Sequence, residues 1–125
     1  MKRMLILPVL LLTLLVGNPA SSADFYKGLD AAESGDYATA LREWTPLAEQ
    51  GNARAQYNLG LMYDEGLGDP QDYVRAHMWW NIAASSGNKV ASENRDIVAE
   101  RMTPSQIETA QRLAQECEKK NYKGC

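Results

Sequence analysis

Apolar residues recur at steps of three and four residues from residue 24 onwards, which is the spacing of one face of an α-helix. Glycine, asparagine and proline separate the periodic stretches, and none of these stretches alternates strictly as a half-buried strand would. The pattern predicts six helices, at about residues 24–34, 37–49, 53–63, 73–85, 89–100 and 103–119. We therefore expect an all-α fold.

Three local signals refine this prediction. The last helix has the clearest start, because Thr103 and Gln106 form a capping box with Pro104 at the first helical position. Pro46 should bend the second helix or end it early, since proline removes a backbone donor and clashes with the preceding turn. Gly60 in a helix interior costs about 1 kcal/mol relative to alanine, so its presence predicts the close approach of a neighbouring helix.

The sequence repeats itself at an offset of 36 residues. The first copy, Asp36, Tyr37, Ala40, Trp44, Ala48, Gly51 and Asn52, is matched by Asp72, Tyr73, Ala76, Trp80, Ala84, Gly87 and Asn88. A fixed period of this length is typical of a solenoid built from one supersecondary unit. We expect the helices to pair as three antiparallel hairpins, at about residues 24–50, 52–86 and 88–119.

Helical periodicity also assigns neighbouring residues of the fourth helix to different surroundings. Trp80 is expected in the core, together with Trp44 of the second helix. Trp79 diverges from Trp80 by about 100° and should wedge against a neighbouring hairpin. His77, the single histidine of the chain, follows Ala76 and is expected on the solvated outer face.

The central unit resembles a SEL-like repeat, a longer-looped relative of the tetratricopeptide repeat. The resemblance is carried by Leu59-Gly60-x-x-Tyr63, Gly68, Asp72, Ala76, Trp79-Trp80, Ala83-Ala84 and Gly87-Asn88. The first hairpin resembles the shorter tetratricopeptide form through Gly28, Gly35-Asp36-Tyr37, Ala40 and Trp44. The third departs from the pattern, because Arg95-Asp96 stands where Leu-Gly would be. The resemblance implies a short right-handed α-solenoid with structural positions at Gly28, Ala40, Trp44, Leu59, Gly60, Tyr63, Ala76 and Trp80.

The resemblance also implies an interaction scaffold, in which the first helices of successive pairs line a concave groove for a partner segment. The implied groove residues are Phe25, Leu29, Arg54, Tyr57, Leu61 and Asp64. Glu93 and Ile97 correspond to them more loosely in the third pair. The alternative is that, in so small a solenoid, some of these apolar side chains belong to the core.

The first 23 residues are typical of a secretory signal peptide. Lys2 and Arg3 precede an apolar run over residues 4–16, and small residues ending at Ala23 suit cleavage. The run is short of the ~20 residues of a spanning helix, so an uncleaved anchor is the weaker alternative. We expect a single repeat domain over residues 24–125, exported to the periplasm or secreted.

The charge and the cysteines of the chain limit which partners and which cellular compartment are expected. The chain has 16 acidic and 13 basic residues, and two of the basic ones lie in the leader. The net negative charge of the mature chain disfavours nucleic acid as a partner. It also provides no basic patch for anionic lipid, and we expect no stable membrane insertion of the mature chain. Cys117 and Cys125 lie close together near the C-terminus and predict a disulfide in an oxidising compartment. A redox site would need tighter spacing, and a metal site would need more ligands.

No catalytic motif is assembled in the sequence. G-x-S-x-G, a cysteine–histidine couple and H-E-x-x-H are all absent, and the acidic loop around Asp64, Glu65, Asp69 and Asp72 lacks calcium-loop spacing. We predict a non-enzymatic module of the cell envelope without metal or cofactor, whose partner is another envelope protein. The alternatives are a hydrolase of cell-wall material and a structural component that assembles with itself.

Overall fold

A computed structural model describes residues 23–125 of the chain. These residues form six α-helices and no strand, which confirms the predicted all-α fold. The helices are α1 (Phe25–Glu33), α2 (Tyr37–Glu49), α3 (Ala53–Glu65), α4 (Tyr73–Ser85), α5 (Lys89–Ala99) and α6 (Pro104–Lys119). The predicted signal peptide lies almost wholly outside the described residues and remains a prediction.

No helix within residues 23–125 is long and apolar enough to cross a lipid bilayer.

Each helix begins at a polar residue whose side chain accepts a hydrogen bond from a backbone amide of the first turn. These N-caps are Asp24, Asp36, Asn52, Asp72, Asn88 and Thr103. Such a side chain satisfies one of the amides that have no partner inside the helix. The predicted capping box of α6 is confirmed, because Thr103 N donates to Gln106 Oε1 at 2.9 Å and Gln106 N donates to Thr103 Oγ1 at 3.2 Å.

Pro46 does not end α2 early, so that part of the prediction is wrong. The helix continues to Glu49 with Pro46 inside it. Only the last turn follows the proline, and Trp44 and Ala48 on either side of it are buried in the core. Packing of these flanking side chains outweighs the loss of one backbone hydrogen bond.

The helices pack in the order α1 on α2, α2 on α3 and α3 on α4, and α4 then contacts both α5 and α6. α5 and α6 contact each other less than either contacts α4. α4 is therefore the central helix, and five consecutive residues of it are buried: Ala76, His77, Met78, Trp79 and Trp80.

The burial of His77 contradicts the expectation that it faces solvent. Its side chain is 3% exposed, and its Nδ1 atom has no hydrogen-bond partner among the described residues. The prediction assumed that α4 contacts neighbours on one side only. Because α3, α5 and α6 all pack on α4, even its outer stripe is covered. Burial lowers the pKa of the imidazole below its ordinary value, and the positive charge of Arg95 lowers this pKa further.

The C-terminal tail folds back onto the first half of the chain. The predicted disulfide between Cys117 and Cys125 is formed, with 5.7 Å between the Cα atoms. Inside the loop that it closes, Asn121 and Tyr122 adopt positive φ angles of 51° and 66°. The Tyr122 ring packs on the core beside the turn between α2 and α3, where a Cβ atom on Gly51 would lie 3.4 Å from it. The tail thus links α6 to the turn between the first two hairpins.

Candidate partner-binding surface

Each of the first two helix pairs contains the same kind of contact, in which a glycine of the first helix packs against a tryptophan of the second. A methyl group added to Gly28 would overlap the indole ring of Trp44, and one added to Gly60 would overlap that of Trp80. The two indole nitrogens donate hydrogen bonds of 3.1 Å to the backbone carbonyls of Phe25 and Tyr57, respectively. Each carbonyl lies three residues before its glycine. The predicted close approach at Gly60 is therefore present, and α1 and α3 are held against their partner helices in the same way.

The third pair lacks this contact. Arg95 and Asp96 occupy the positions that correspond to Leu59 and Gly60, and the Arg95 guanidinium donates to Asn81 Oδ1 at 2.9 Å and to Asp96 Oδ1 at 3.1 Å. Polar contacts thus replace the buried glycine–tryptophan packing. The loss of this contact agrees with the position of α5, which packs mainly against α4 rather than against α6, the other helix of its own pair.

A cleft of about 330 Å³, which we call the Arg54 cleft, opens between α1, α3 and the start of α5. It is lined by Phe25, Leu29, Arg54, Tyr57, Asn58, Asn88 and Val90. The structure therefore brings together four of the six side chains that sequence assigned to the groove. The guanidinium carbon of Arg54 lies 4.4 Å from the centre of the Phe25 ring, which is cation–π geometry.

The other two predicted groove residues, Leu61 and Asp64, lie in a separate cleft of about 120 Å³ between α3 and α5. We call it the Ile97 cleft, and its lining is Leu61, Asp64, Trp80, Asn94, Ile97, Val98 and Arg101. Ile97, which corresponds only loosely to the repeat pattern, is part of this lining. Glu93 is exposed and lines neither cleft.

Tyr57 is engaged in the fold as well as lining the Arg54 cleft. Besides its carbonyl contact with Trp80, its hydroxyl accepts a hydrogen bond of 3.4 Å from Asn94 Nδ2 on α5. This bond joins α3 to α5 between the two clefts. The alternative that some groove residues are structural therefore applies to Tyr57.

Several residues of the two clefts were missed by the sequence analysis, and three of them follow the 36-residue offset. Val90, Asn94 and Asn58 all line a cleft, and Asn94 stands 36 residues after Asn58 just as Val90 stands 36 residues after Arg54. The offset that relates Glu93 and Ile97 to Tyr57 and Leu61 also relates Val90 to Arg54, so it would have identified Val90. No groove residue was predicted at Asn58, so the offset gave no signal for Asn94 either.

A third cleft, of about 290 Å³, lies between α1, α2, α3 and the loop after α3. Among the residues lining it are Ala32, Tyr37, Leu61 and Leu67. The repeat pattern gave no signal for this cleft because Leu67 belongs to the loop that lengthens the second unit. Leu61 and Asn58 lie on its boundary with the other two clefts. The first helices of the three pairs therefore share one continuous surface, which we call the first-helix face.

The acidic loop acts in helix capping. Asp72 Oδ1 accepts a hydrogen bond of 3.1 Å from Arg75 N at the start of α4, and Asp69 Oδ2 accepts one of 3.4 Å from the Tyr63 hydroxyl. Within residues 23–125, no three His, Cys, Asp or Glu side chains are grouped so that they could hold a metal ion.

Residues 53–88, which comprise α3, the long loop and α4, match the sequence model of the Sel1 repeat. The chain contains a Sel1 repeat. The matched segment is the unit that the 36-residue pattern and the Gly60–Trp80 contact define, so the resemblance to the SEL-like family is confirmed.

A solved relative extends this likeness beyond the matched unit. It is the crystal structure of a protective antigen present in uropathogenic Escherichia coli strains, which displays an SLR fold. The two superpose with a TM-score of 0.72 at 30% sequence identity. The superposition covers 82% of this Sel1-repeat chain and 25% of the antigen.

The chain is also similar to a mammalian protein. It is 35% identical over 51 residues to DAP3-binding cell death enhancer 1 of Rattus norvegicus and of Mus musculus. The aligned part is 41% of this chain and 10% of each relative. The chain thus spans about a tenth of the length of these curated relatives.

Proposed function

We propose that this Sel1-repeat protein is a non-enzymatic binding module of the cell envelope that holds a segment of another protein against its first-helix face. Sel1 repeats generally mediate protein–protein interactions. The mammalian relative is itself named for binding another protein, DAP3. Both observations favour a protein as the ligand of this chain.

One observation carries the placement of the partner on the first-helix face. Of the three large apolar side chains that stay exposed among the described residues, Val90 and Ile97 line the Arg54 and Ile97 clefts, whereas Tyr26 does not. Val90 is 51% exposed and Ile97 is 53% exposed. Apolar side chains grouped beside clefts and rimmed by polar residues are typical of interaction sites.

The location in the cell envelope is supported by two features of the chain. The first 23 residues have the composition of a signal peptide, and the Cys117–Cys125 disulfide suits an oxidising compartment. Both agree with export of the repeat domain.

Site-specific photo-crosslinking in cells tests the proposal. A photoreactive amino acid at Val90 should give a crosslink to one partner protein, because this side chain is exposed inside the Arg54 cleft. Tyr57 is a poorer position because its hydroxyl is bonded to Asn94. The matched control is Ala38, which is exposed on the second helix and lines none of the three clefts.

The crosslinked partner is then purified and its affinity is measured. Ile97→Asp should weaken binding, whereas Tyr26→Asp, which changes an exposed apolar residue elsewhere, should weaken it much less. Equal crosslinking from Val90 and Ala38, or a partner whose affinity is indifferent to Ile97→Asp, would show that the first-helix face is not the binding surface.

A further inference from the structure

The Arg54 cleft contains a single charged side chain, and that side chain has no counter-ion. Arg54 stacks on Phe25 but forms no ion pair among the described residues. The remaining lining residues are apolar, aromatic or amide side chains: Phe25, Leu29, Tyr57, Asn58, Asn88 and Val90. An arginine held over a ring keeps its N–H edge free to bind a carboxylate through two hydrogen bonds.

The Ile97 cleft has a different charge pattern. Asp64 and Arg101 both line it, so its two charges offset each other. The third cleft contributes the acidic side chains Glu33 and Glu65, so the net positive charge along the furrow between α3 and α5 lies at the Arg54 end. A partner segment that covers both clefts is expected to bring a negative charge to that end only.

The distance between the exposed apolar side chains of Val90 and Ile97 determines how far apart the apolar side chains of a partner should be. Val90 and Ile97 are seven residues apart on α5, which corresponds to two helical turns and about 10.5 Å. Between them, the hydrogen bond from Asn94 to Tyr57 forms a polar bridge across the furrow between α3 and α5. A helix lying along this furrow presents apolar side chains at the same seven-residue spacing, with a small or polar residue over the bridge.

The first-helix face offers fewer contacts to an extended peptide than to a helix. Residues 23–125 contain no strand, so there is no sheet edge to which a partner strand could add. A helix satisfies its own backbone hydrogen bonds and needs only side-chain contacts, which is what helices α3 and α5 offer.

We propose that the partner segment is an amphipathic helix with two apolar side chains seven residues apart and a carboxylate beside the one that enters the Arg54 cleft. The inference rests on the proposed function, since it specifies what the first-helix face binds. Arg54 binds the carboxylate, Val90 and Ile97 contact the two apolar side chains, and the neutral Ile97 cleft receives the uncharged end.

A pair of synthetic peptides tests this inference on the folded protein. Each is a fluorescein-labelled helix of about 18 residues with two leucines seven apart. One carries glutamate beside the first leucine, and its twin carries lysine there. The glutamate peptide should bind about tenfold more tightly by fluorescence anisotropy, and added salt should reduce this preference.

A charge reversal provides the decisive comparison. Arg54→Glu should reverse the preference, so that the lysine peptide binds more tightly than the glutamate peptide. Lys123→Glu is the matched control because it changes the net charge equally at an exposed position away from the clefts, and it should leave the preference as it was. Val90→Asp and Ile97→Asp should each weaken the binding of the glutamate peptide.

Three results would overturn the inference: no measurable binding of the glutamate peptide, equal binding of the two peptides, or an unchanged preference in Arg54→Glu. A dimer seen by sedimentation and disrupted by Ile97→Asp would do so as well, because a second copy would then occupy the furrow. The crosslinking experiment separates this failure from that of the proposed function. If Val90 still captures a partner when the peptides fail, the binding module stands and only its ligand chemistry is wrong.

Discussion

The indole nitrogen of Trp80 donates a 3.1 Å hydrogen bond to the backbone carbonyl of Tyr57. This bond fixes the second helix of the Sel1 repeat against the first at the point where Gly60 leaves room for the ring. Trp44, Phe25 and Gly28 reproduce the arrangement in the preceding pair. The glycine and the tryptophan are thus two halves of one contact, and the side chains of the first-helix face are positioned by it.

Gly60→Ala should destabilise the protein although alanine is the better helix former. The added methyl group would overlap the Trp80 ring, which is 2% exposed and has no room to withdraw. Overpacking of this kind costs typically 1–3 kcal/mol, against a gain of about 1 kcal/mol in helix propensity. We expect a net loss of about 1 kcal/mol in the free energy of unfolding, measured by urea denaturation.

A double-mutant cycle checks the cause. In a Trp80→Phe background the smaller ring relieves the overlap, so Gly60→Ala should cost less there than in the wild type. An equal cost in both backgrounds would show that the ring is not what excludes the methyl group.

The stability of the protein should fall as the pH drops below the ordinary range of histidine. Burial holds the pKa of His77 lower in the folded state than in the unfolded chain, which has a pKa of about 6.5. The unfolded state therefore takes up the proton first, and stability is full above that pH and is lost below it. The slope from one such group is at most about 1.4 kcal/mol per pH unit.

His77→Leu is the matched variant for this prediction, since it keeps a buried side chain without a titrating group. Urea denaturation at about pH 7.5 and about pH 5.5 should show a smaller loss of stability in the variant than in the wild type. Because the chain has a single histidine, no other imidazole contributes in this range. Equal losses in the two proteins would refute the assignment.

Reduction of the Cys117–Cys125 disulfide should destabilise the protein by about 2.5 kcal/mol in the chain-entropy model. The pair closes a loop with a sequence separation of 8 residues. Thermal unfolding with and without reductant measures the effect, and the double variant Cys117→Ser, Cys125→Ser should be insensitive to reductant. Thiol titration of the unfolded, unreduced protein should find no free thiol; two would contradict the bond.

The exported protein should begin at Asp24. The backbone nitrogen of Asp24 donates to Glu43 Oε2 at 3.0 Å, and this bond is the main reason that the pKa of Glu43 lies below its ordinary value. Cleavage after Ala23 would convert that amide into an ammonium group beside a carboxylate that already pairs with Lys27 at 3.4 Å. N-terminal sequencing of the protein from the envelope tests the cleavage position.

The contact between the N-terminus at Asp24 and the Glu43 carboxylate can be tested by measuring thermal stability. With Asp24 as the first residue, Glu43→Gln should lower the thermal midpoint by a few degrees, and exposed Glu93→Gln should change it little. The effect of Glu43→Gln should shrink when further residues precede Asp24, because the ammonium charge is then displaced. An effect independent of the preceding residues would exclude the terminal pair.

Local sequence signals were sufficient to predict the helices and the close approach of a neighbouring helix at Gly60. Asp36, Asp72 and Thr103 each cap a helix through their own side chain, so their effect depends little on distant parts of the chain. Helical periodicity also placed Trp44 and Trp80 in the core, but the contact between Gly60 and Trp80 itself emerges only from the structure. These features follow from interactions within a turn or within one hairpin.

What could not be predicted depends on how the third pair packs. His77 is buried because α5 and α6 both cover α4, and nothing near His77 in the sequence encodes that arrangement. Val90 was overlooked although it lies 36 residues after Arg54, because its exposure inside a cleft depends on where α5 packs. Pro46 stays within α2 because buried neighbours hold the last turn, which is also a tertiary effect.

The position of Tyr122 has a consequence for how the molecule unfolds. In an open array of repeats each unit touches only its neighbours, so the two ends can fray independently. Here the tail beyond α6 rests beside Gly51, and the disulfide keeps that tail attached to α6. Opening of the last helix therefore also uncovers the turn between the first two hairpins, and the amides of both regions should exchange with solvent as one cooperative unit.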